Sequence, residues 1–449
     1  MDLSAEEVVK GLLSEAAYAT PSDNVRVEDL EMKLPKWFDE AKFNQGRRFF
    51  SDFCIAHTLS LISGFIAVLA VPTVIKVMIG TQRSNTPYTA YKRYLSTYLH
   101  IITWASHDLK PGSPTWRSLN TVRARHVVAG RAARLKKQGT VSQRDLALTM
   151  LGLIGFSVLK PDKFHLVSVK KGDMEAFLHF WAVIGAMIGC QDRYNICRKT
   201  YDETYQVCQE LVDRVLLPCL ENVPEYFEHT ARVLIDGGSA VFSFIDGDFI
   251  IYWTKHLANV PGYIYTEEER LALQRKLKKF STGADKNGVD ANELIEACGL
   301  PFDTKSSRRL HADDYDTVAT SPAYKNLPLK AKFNMAVHHI ILSIYSVAVG
   351  RAILNFIFKC MLFTVTHFPM TAMWRYGYYN AFVNIFKEGP KDDTPPKLNC
   401  EYQKKNEETW HQALTSLIWR RMLEGCSRSR ATSRSNLTPD SQSGNTSDP

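Results

Sequence analysis

The chain has 449 residues, of which 45% are hydrophobic, 23% charged and 11% aromatic, and its formal net charge at pH 7 is +8. These values are those of a globular protein and exclude collagen-like, coiled-coil and fully disordered chains. The 55 Lys and Arg residues are spread along the sequence, apart from one run near the C-terminus, so nucleic acid is not an expected partner.

Almost every segment has hydrophobic residues at helical spacing, with Gly and Pro at the breaks between segments. We therefore predict an all-α fold, with one large helical domain and additional C-terminal helices. The predicted parts are an N-terminal helical extension at residues 1–39, the main domain at 40–260, a C-terminal helical part at 261–426 and a tail at 427–449. The tail is predicted to be disordered because it has too few apolar residues to form a core.

Two long apolar stretches stand out. Residues 53–75 contain no Asp, Glu, Lys or Arg and are long enough to cross a bilayer. Pro72 and several polar residues interrupt this stretch, which favours a helix buried in a core; a membrane span is the alternative. Residues 337–370 contain Arg351 and Lys359, so we predict one or two packed or interfacial amphipathic helices there.

A helical hairpin is predicted between residues 91 and 135. Residues 91–104 have helical periodicity, residues 110–114 (KPGSP) break the chain, and a second helix follows. At 1.5 Å per residue, the heights of Arg93 and His126 in an antiparallel pair differ by only about 7 Å. The two side chains could therefore meet between the helices.

The facing surfaces of this hairpin carry charged and polar side chains that could bind a ligand. Arg93, Ser96 and Thr97 share one face of the first helix, and Arg123 and His126 are three residues apart on the second. A cationic, hydroxyl-bearing face opposite a histidine could hold an anionic prosthetic group such as haem, whose iron binds His and whose propionates bind Arg. The alternative is that His126 is an ordinary hydrogen-bonded histidine.

The order and spacing of several segments over residues 40–260 resemble the catalytic domain of the rubber oxygenase and mpaB-type oxygenase family. The segments are residues 46–50 (GRRFF), the apolar helix after them, and residues 93–97 (RYLST), 122–126 (VRARH), 143–149 (QRDLALT) and 180–195. The resemblance implies an all-helical domain that binds haem b and uses O2 to oxidise an apolar, isoprenoid or other lipid, substrate.

The resemblance also implies roles for individual residues. His126 matches the ligand of the haem iron, and Arg93 and Thr97 match the ends of the family's Arg-x-x-Lys-Thr signature. Ser96 occupies the lysine position of that signature, and no acidic residue lies between residues 53 and 80, where the family places a glutamate. We therefore assign Arg93, Ser96 and Thr97 as candidate catalytic residues, and His126, Arg93, Arg123 and Thr97 as candidate haem-binding residues, with His126 on the iron.

These departures leave two functions open. The first is a haem-dependent oxygenase that acts on an apolar small molecule. The second is a non-catalytic helical protein that keeps the fold and binds a lipid or haem.

Other polar groups have simpler interpretations. His179 is either a second haem ligand or, more simply, a packing and capping residue. Asp145 and Thr149 are expected to start and pack a helix, and the acidic turn at residues 285–293 lacks the register of an EF-hand. His338 and His339 are adjacent and cannot share one metal on a helix.

The cysteines bear on location. There are nine, with no CxxC pair, which does not suit a disulfide framework or a zinc site. The N-terminal residues also lack the basic and apolar regions of a secretory signal. We expect an intracellular protein that is associated with a membrane, at the endoplasmic reticulum; a cytoplasmic location is the alternative.

Overall fold

The structure, a computed structural model, describes residues 3–166, 169–242, 245–264, 268, 269, 271 and 321–402. In this part of the chain there are helices and no β-strand, apart from one isolated antiparallel bridge between Pro21 and Ser142. The predicted all-α class is confirmed. The predicted tail at residues 427–449 lies outside the described residues, and the other predicted boundaries stay predictions.

The helices are, in chain order, α1 (Ala5–Leu13), α2 (Glu15–Ala19), α3 (Glu40–Asp52), α4 (Cys54–Leu69), α5 (Pro72–Gly80), α6 (Pro87–Ser106), α7 (Pro114–Leu135), α8 (Gln143–Leu159), α9 (Lys171–Met187), α10 (Tyr201–Leu211), α11 (Leu217–Glu221), α12 (Phe227–Gly238), α13 (Gly247–Leu257), α14 (Pro322–Lys325), α15 (Leu329–Ser346), α16 (Ala348–His367), α17 (Met370–Tyr376) and α18 (Tyr378–Ala381). A π-helical turn, Val212–Leu216, joins α10 to α11.

The predicted hairpin is formed by α6 and α7, and local sequence explains where each helix starts. Thr86 and Ser113 are the N-cap residues, and each is followed by a proline at the first helical position. Their side-chain oxygens accept hydrogen bonds from backbone N–H groups of the first turn, which would otherwise have no partner, and a first-turn proline loses no helical hydrogen bond. The hairpin thus places Arg93 and His126 on neighbouring helices.

The apolar stretch at residues 53–75 is part of the core. Most residues of α4 are buried, and the helix ends before Pro72 begins α5. The backbones of α4 and α8 touch, because a Cβ atom built on Gly64 would lie 1.8 Å from the carbonyl oxygen of Gly152. Of the two interpretations of this stretch, the buried helix is the one the structure has.

His57 shows how deeply α4 is buried. Its ring is stacked between the rings of Phe50 and Phe177, at centroid distances of 5.4 and 4.4 Å, and its Nδ1 atom lies 3.1 Å from Ser157 Oγ. Burial lowers the pKa of His57 to about 3. The ring is therefore neutral in the folded protein at any pH near neutrality.

This burial predicts acid lability. A histidine in the unfolded chain takes up a proton below about pH 6.5, whereas folded His57 stays neutral down to about pH 3. Its folded-state pKa is depressed, so acidification favours the unfolded state over this interval, and the free energy of unfolding should fall as the pH is lowered from 7 to 5. His57→Phe keeps the stacking but cannot take up a proton on unfolding. At pH 5 the free energy of unfolding of this variant should therefore change less steeply with pH, by roughly 1.4 kcal/mol per pH unit, which corresponds to about one proton. Urea unfolding at several pH values measures this slope, and an unchanged slope would contradict a neutral His57.

The second apolar stretch forms α15 and α16, as two helices rather than one. Helix α16 is long and apolar enough to cross a membrane, and only 11% of its most apolar window is buried. The pair α3 and α4 passes the same test together, although the two helices meet at a bend of 88°. Length and composition alone do not establish a membrane span in either case.

After α18 the chain runs back over the helical body as a strap, residues 382–402. Lys92 Nζ donates to the carbonyl of Phe382, Arg83 forms an ion pair with Glu388, and Asn85 Nδ2 donates to the carbonyl of Thr394 at 3.2 Å. Further along, the hydroxyl of Tyr402 lies 2.8 Å from Nδ1 of His229 on α12. The strap therefore joins the start of α6 to α12.

Candidate functional site

A cavity of about 190 Å³ lies between helices α4, α5, α6, α7, α8 and α12. Its lining is mostly aliphatic and aromatic. The residues with polar groups in this lining are Thr81, Arg93, Tyr94, Thr97, His126, Asp145 and Thr149. Three of the predicted site residues, Arg93, Thr97 and His126, therefore lie around one cavity.

His126 contributes a neutral imidazole to this cavity. Its Nδ1 atom is buried and has no hydrogen-bond partner among the described residues. Burial, assisted by the positive charge of Arg93, lowers the pKa of His126 to about 4. A neutral imidazole with a ring nitrogen free of hydrogen bonds to the described residues is the form of histidine that binds a metal ion.

Arg93 brings a positive charge to the same cavity. Its Nη1 atom donates to Thr81 Oγ1 at 2.7 Å, and its Nη2 atom lies 2.8 Å from Met78 Sδ. No carboxylate of the described residues forms an ion pair with it, and burial lowers its pKa. Arginine nevertheless stays charged in proteins. A charge in such surroundings is costly without a counter-ion, so the cavity favours an anionic group near Arg93.

The other polar groups of the lining already have structural partners. Asp145 accepts hydrogen bonds from the backbone and side chain of Ser142 and, at 2.7 Å, from Thr73 Oγ1. Thr97 and Thr149 donate to backbone carbonyls one turn earlier in their own helices. The expectation that Asp145 and Thr149 start and pack a helix is confirmed, although both also border the cavity.

Two predicted site residues do not reach the cavity. Ser96 is buried on another side of α6, and its hydroxyl has no partner among the described residues. The guanidinium of Arg123 forms a two-point ion pair with Asp23, with N···O distances of 2.6 and 3.1 Å, and also donates to the carbonyl of Glu31. The geometry thus gives no support to the catalytic role predicted for Ser96 or to the haem contact predicted for Arg123.

The remaining candidates have structural surroundings. Nε2 of His179 accepts a hydrogen bond from the backbone of Asp39 at the start of α3, as the capping interpretation predicts. His338 is buried against Phe249 and Trp253, away from the cavity lining. The acidic turn at residues 285–293 lies outside the described residues. Within the described part, no group of three or more His, Cys, Asp and Glu residues could hold a metal ion.

Sequence reasoning missed the residues that surround Arg93. Met78 and Thr81 come from the end of α5, and only the packing of α5 against α6 and α7 brings them to the guanidinium. Tyr94 was also missed; its hydroxyl is buried, and burial raises its pKa. Its position next to Arg93 in the sequence was the only available signal.

Comparisons with known proteins give one match. Neither the family models nor the curated proteins include a match to this sequence. Among solved structures, the chain is similar to the latex clearing protein LCP in its closed state, at 17% sequence identity and a TM-score of 0.39, over 68% of this chain and 86% of that chain. A likeness at this level does not identify the function.

The side chains of the cavity can bind haem, but the cavity has to widen to hold it. In the described part of the chain, His126 is neutral with a nitrogen that has no partner and can bind iron, and Arg93 has no ion pair and can bind a propionate. The walls suit an apolar macrocycle. Ligand pockets commonly measure roughly 300–1,000 Å³, so a cavity of about 190 Å³ has to widen for a group of this size. Met78 is a flexible side chain that can move from Arg93 as an anion arrives.

Proposed function

We propose that this cavity binds haem b through His126 and that the protein is a haem-dependent oxygenase, an oxidoreductase acting on an apolar substrate with O2. The observation that carries the proposal is that one apolar cavity contains a neutral His126 and a charged Arg93, whose Nδ1 atom and guanidinium respectively have no hydrogen-bond partner and no ion pair among the described residues. The resemblance of the ordered segments to the rubber oxygenases suggests an isoprenoid or other lipid as the substrate.

Each residue has a defined part in this proposal. Haem, when bound, supplies an iron that can bind and activate O2. His126 would hold the iron, and Arg93 would exchange its contact with Met78 for a propionate oxygen. The apolar side chains of α4, α5 and α8 would keep water from the reaction and receive the substrate.

A second function is favoured by the size of the cavity. About 190 Å³ accommodates part of a lipid chain without the widening that haem requires, and Arg93 would bind an anionic head group. Ser96, which stands where the family has lysine, also suits a protein that binds without turnover. This alternative is a non-catalytic helical protein that keeps the fold and binds a lipid or haem.

Titration of the purified full chain with haemin separates these functions. Saturable binding with a sharp Soret band at one haem per chain supports the proposed site, and O2 uptake with a short polyisoprene as substrate then supports the oxygenase. A Soret band without O2 uptake for isoprenoid and other lipid substrates would indicate a haem carrier. No Soret band, with a melting temperature raised by a fatty acid, would contradict haem binding and favour the lipid carrier.

Two arginine variants test the placement of the charge. Arg93→Gln should weaken haem binding by about 1.5–3 kcal/mol, or roughly 10- to 150-fold, because a charge-assisted hydrogen bond is lost. Arg123→Gln should lower the melting temperature, since Asp23 loses its ion pair, and leave haem affinity unchanged. Haem titration of both variants checks this. Weaker haem binding by Arg123→Gln, with unchanged binding by Arg93→Gln, would instead place Arg123 at the haem site.

The location is also a proposal. The seven cysteines described are free, which suits the reducing interior of a cell. We propose an intracellular protein at the endoplasmic reticulum, with the cytoplasm as the alternative, and fractionation with organelle markers distinguishes the two.

A further inference from the structure

The exposed hydrophobic side chains are concentrated in one part of the described chain. Of the 25 large hydrophobic residues that are exposed, 18 lie between residues 329 and 398. We call the exposed apolar residues of α15, α16 and the segment after them the C-terminal apolar face; its members include Phe333, Ile340, Val349, Ile353, Phe356, Phe363, Met370 and Trp374, each more than half exposed. Soluble proteins rarely leave so large a group uncovered.

These residues form continuous stripes along two helices. On α16, exposed side chains follow one another at helical spacing from Val349 through Ile353 and Phe356 to Phe363. Helix α15 has a similar stripe from Leu329 through Phe333 to Ile340. The regular spacing means that each helix turns one whole apolar side outward.

The opposite side of α16 is fixed to the helical body. Phe358 is buried near Tyr98, with ring centroids 6.3 Å apart, and Asn355 Nδ2 donates to the carbonyl of Asp52 at 2.8 Å. Arg351 lies over the ring of Phe53, 4.6 Å from its centroid. A helix with one side covered by protein can lie in the surface of a bilayer, whereas a span across it would have to release these contacts.

The charges along α15, α16 and α17 have one sign. Residues 321–387 contain seven Lys and Arg residues and no Asp or Glu. Lys325, Lys359 and Lys387 are exposed and form no ion pair with a described residue. Trp374, Tyr378 and Tyr379 are also exposed, and such aromatic residues favour the boundary between lipid tails and head groups. Basic and aromatic residues beside an apolar stripe complement an anionic lipid surface.

We propose that the C-terminal apolar face docks the protein on one leaflet of a membrane that contains anionic lipids, with α15 and α16 lying in the interface. The same charges disfavour a second copy as the occupant, because pairing α15 and α16 of two copies would bring their cations together, and residues 321–387 contain no acidic residue that could pair with them. The inference does not depend on haem, so it can fail or succeed separately from the proposed function.

Vesicle flotation of the purified full chain tests the docking. We expect binding to vesicles of phosphatidylcholine with phosphatidylserine, weaker binding to phosphatidylcholine alone, and weakening by salt of the anionic contribution. Phe356→Glu combined with Phe363→Glu should abolish flotation, and Lys359→Gln should weaken it about fivefold. Leu135→Glu is the matched control, because Leu135 is 87% exposed on α7 and outside the face; it should float normally.

Labelling of cysteines tests whether α16 contacts the membrane. Cys360 lies on the outward side of α16 and Cys400 lies in the strap, and both are exposed. Vesicles should slow labelling of Cys360 by a water-soluble maleimide, measured peptide by peptide, and leave labelling of Cys400 unchanged.

Three results would overturn the proposal. One is the absence of flotation with either vesicle, and another is equal flotation of the double-glutamate variant with unchanged circular dichroism. The third is a dimer in sedimentation that the double variant dissociates without any lipid binding, which would assign the face to a second copy.

Discussion

His126→Ala should remove the Soret band of the haem-loaded protein and leave its far-ultraviolet circular dichroism unchanged. The imidazole is the only histidine side chain in the lining of the described cavity, so the substitution deletes the expected bond to iron. Alanine is the best helix former and His126 lies within α7, so the helix should persist. The deleted ring also leaves space beside Arg93, and added imidazole should therefore restore part of the absorbance.

The controls for this experiment come from histidines elsewhere. His179→Ala and His338→Ala should keep full haem occupancy, because neither side chain lines the cavity. Full occupancy with an unshifted Soret maximum in His126→Ala would falsify the assignment of the ligand. The lipid-binding alternative would then become the better account of the cavity.

Gly64→Ala should be among the most destabilising single methyl additions in this protein. The new carbon would lie 1.8 Å from the carbonyl oxygen of Gly152, and backbone atoms cannot move aside as a flexible side chain can. Helices α4 and α8 would have to separate, which we expect to cost about 3 kcal/mol or more. Because both helices line the cavity, haem or lipid binding should weaken as well.

A matched glycine isolates the effect of this contact. A Cβ atom added to Gly172 in α9 would meet nothing within 4 Å, so Gly172→Ala should be neutral or stabilising by up to about 1 kcal/mol. Melting temperature and urea midpoint of the two variants give the comparison. Equal stabilities would mean that α4 and α8 do not touch at Gly64.

Much of the fold could be predicted because it depends on local sequence. The caps and first-turn prolines that begin α6 and α7 are neighbouring residues in the sequence. The break between α4 and α5 is likewise set locally, by Pro72. Helix geometry then sufficed to bring Arg93 and His126 to one cavity. The burial of α4, in contrast, remained open from sequence, because an apolar helix in a core and one in lipid have the same composition.

The site was only partly predictable for a related reason. Helical spacing places Arg123 three residues before His126, but which way its long side chain points depends on Asp23, about a hundred residues earlier in the chain. The partners of Arg93 are likewise distant from α6 in local spacing: Met78 lies on α5 and Thr81 directly follows α5, which no spacing rule on α6 could indicate. Periodicity identifies which residues share a face, and tertiary partners decide which of them reach the site.

The strap has a consequence for the order of events during synthesis. Lys92 on α6 donates to the carbonyl of Phe382, 290 residues later, and Asn85 Nδ2 donates to the carbonyl of Thr394. At about 5–20 residues per second, a ribosome needs roughly 15–60 s to deliver those partners after α6 has emerged. During that interval the first turns of α6, a helix that carries Arg93, lack their final contacts. We expect the nascent chain to need protection from aggregation until residues near 400 have been translated.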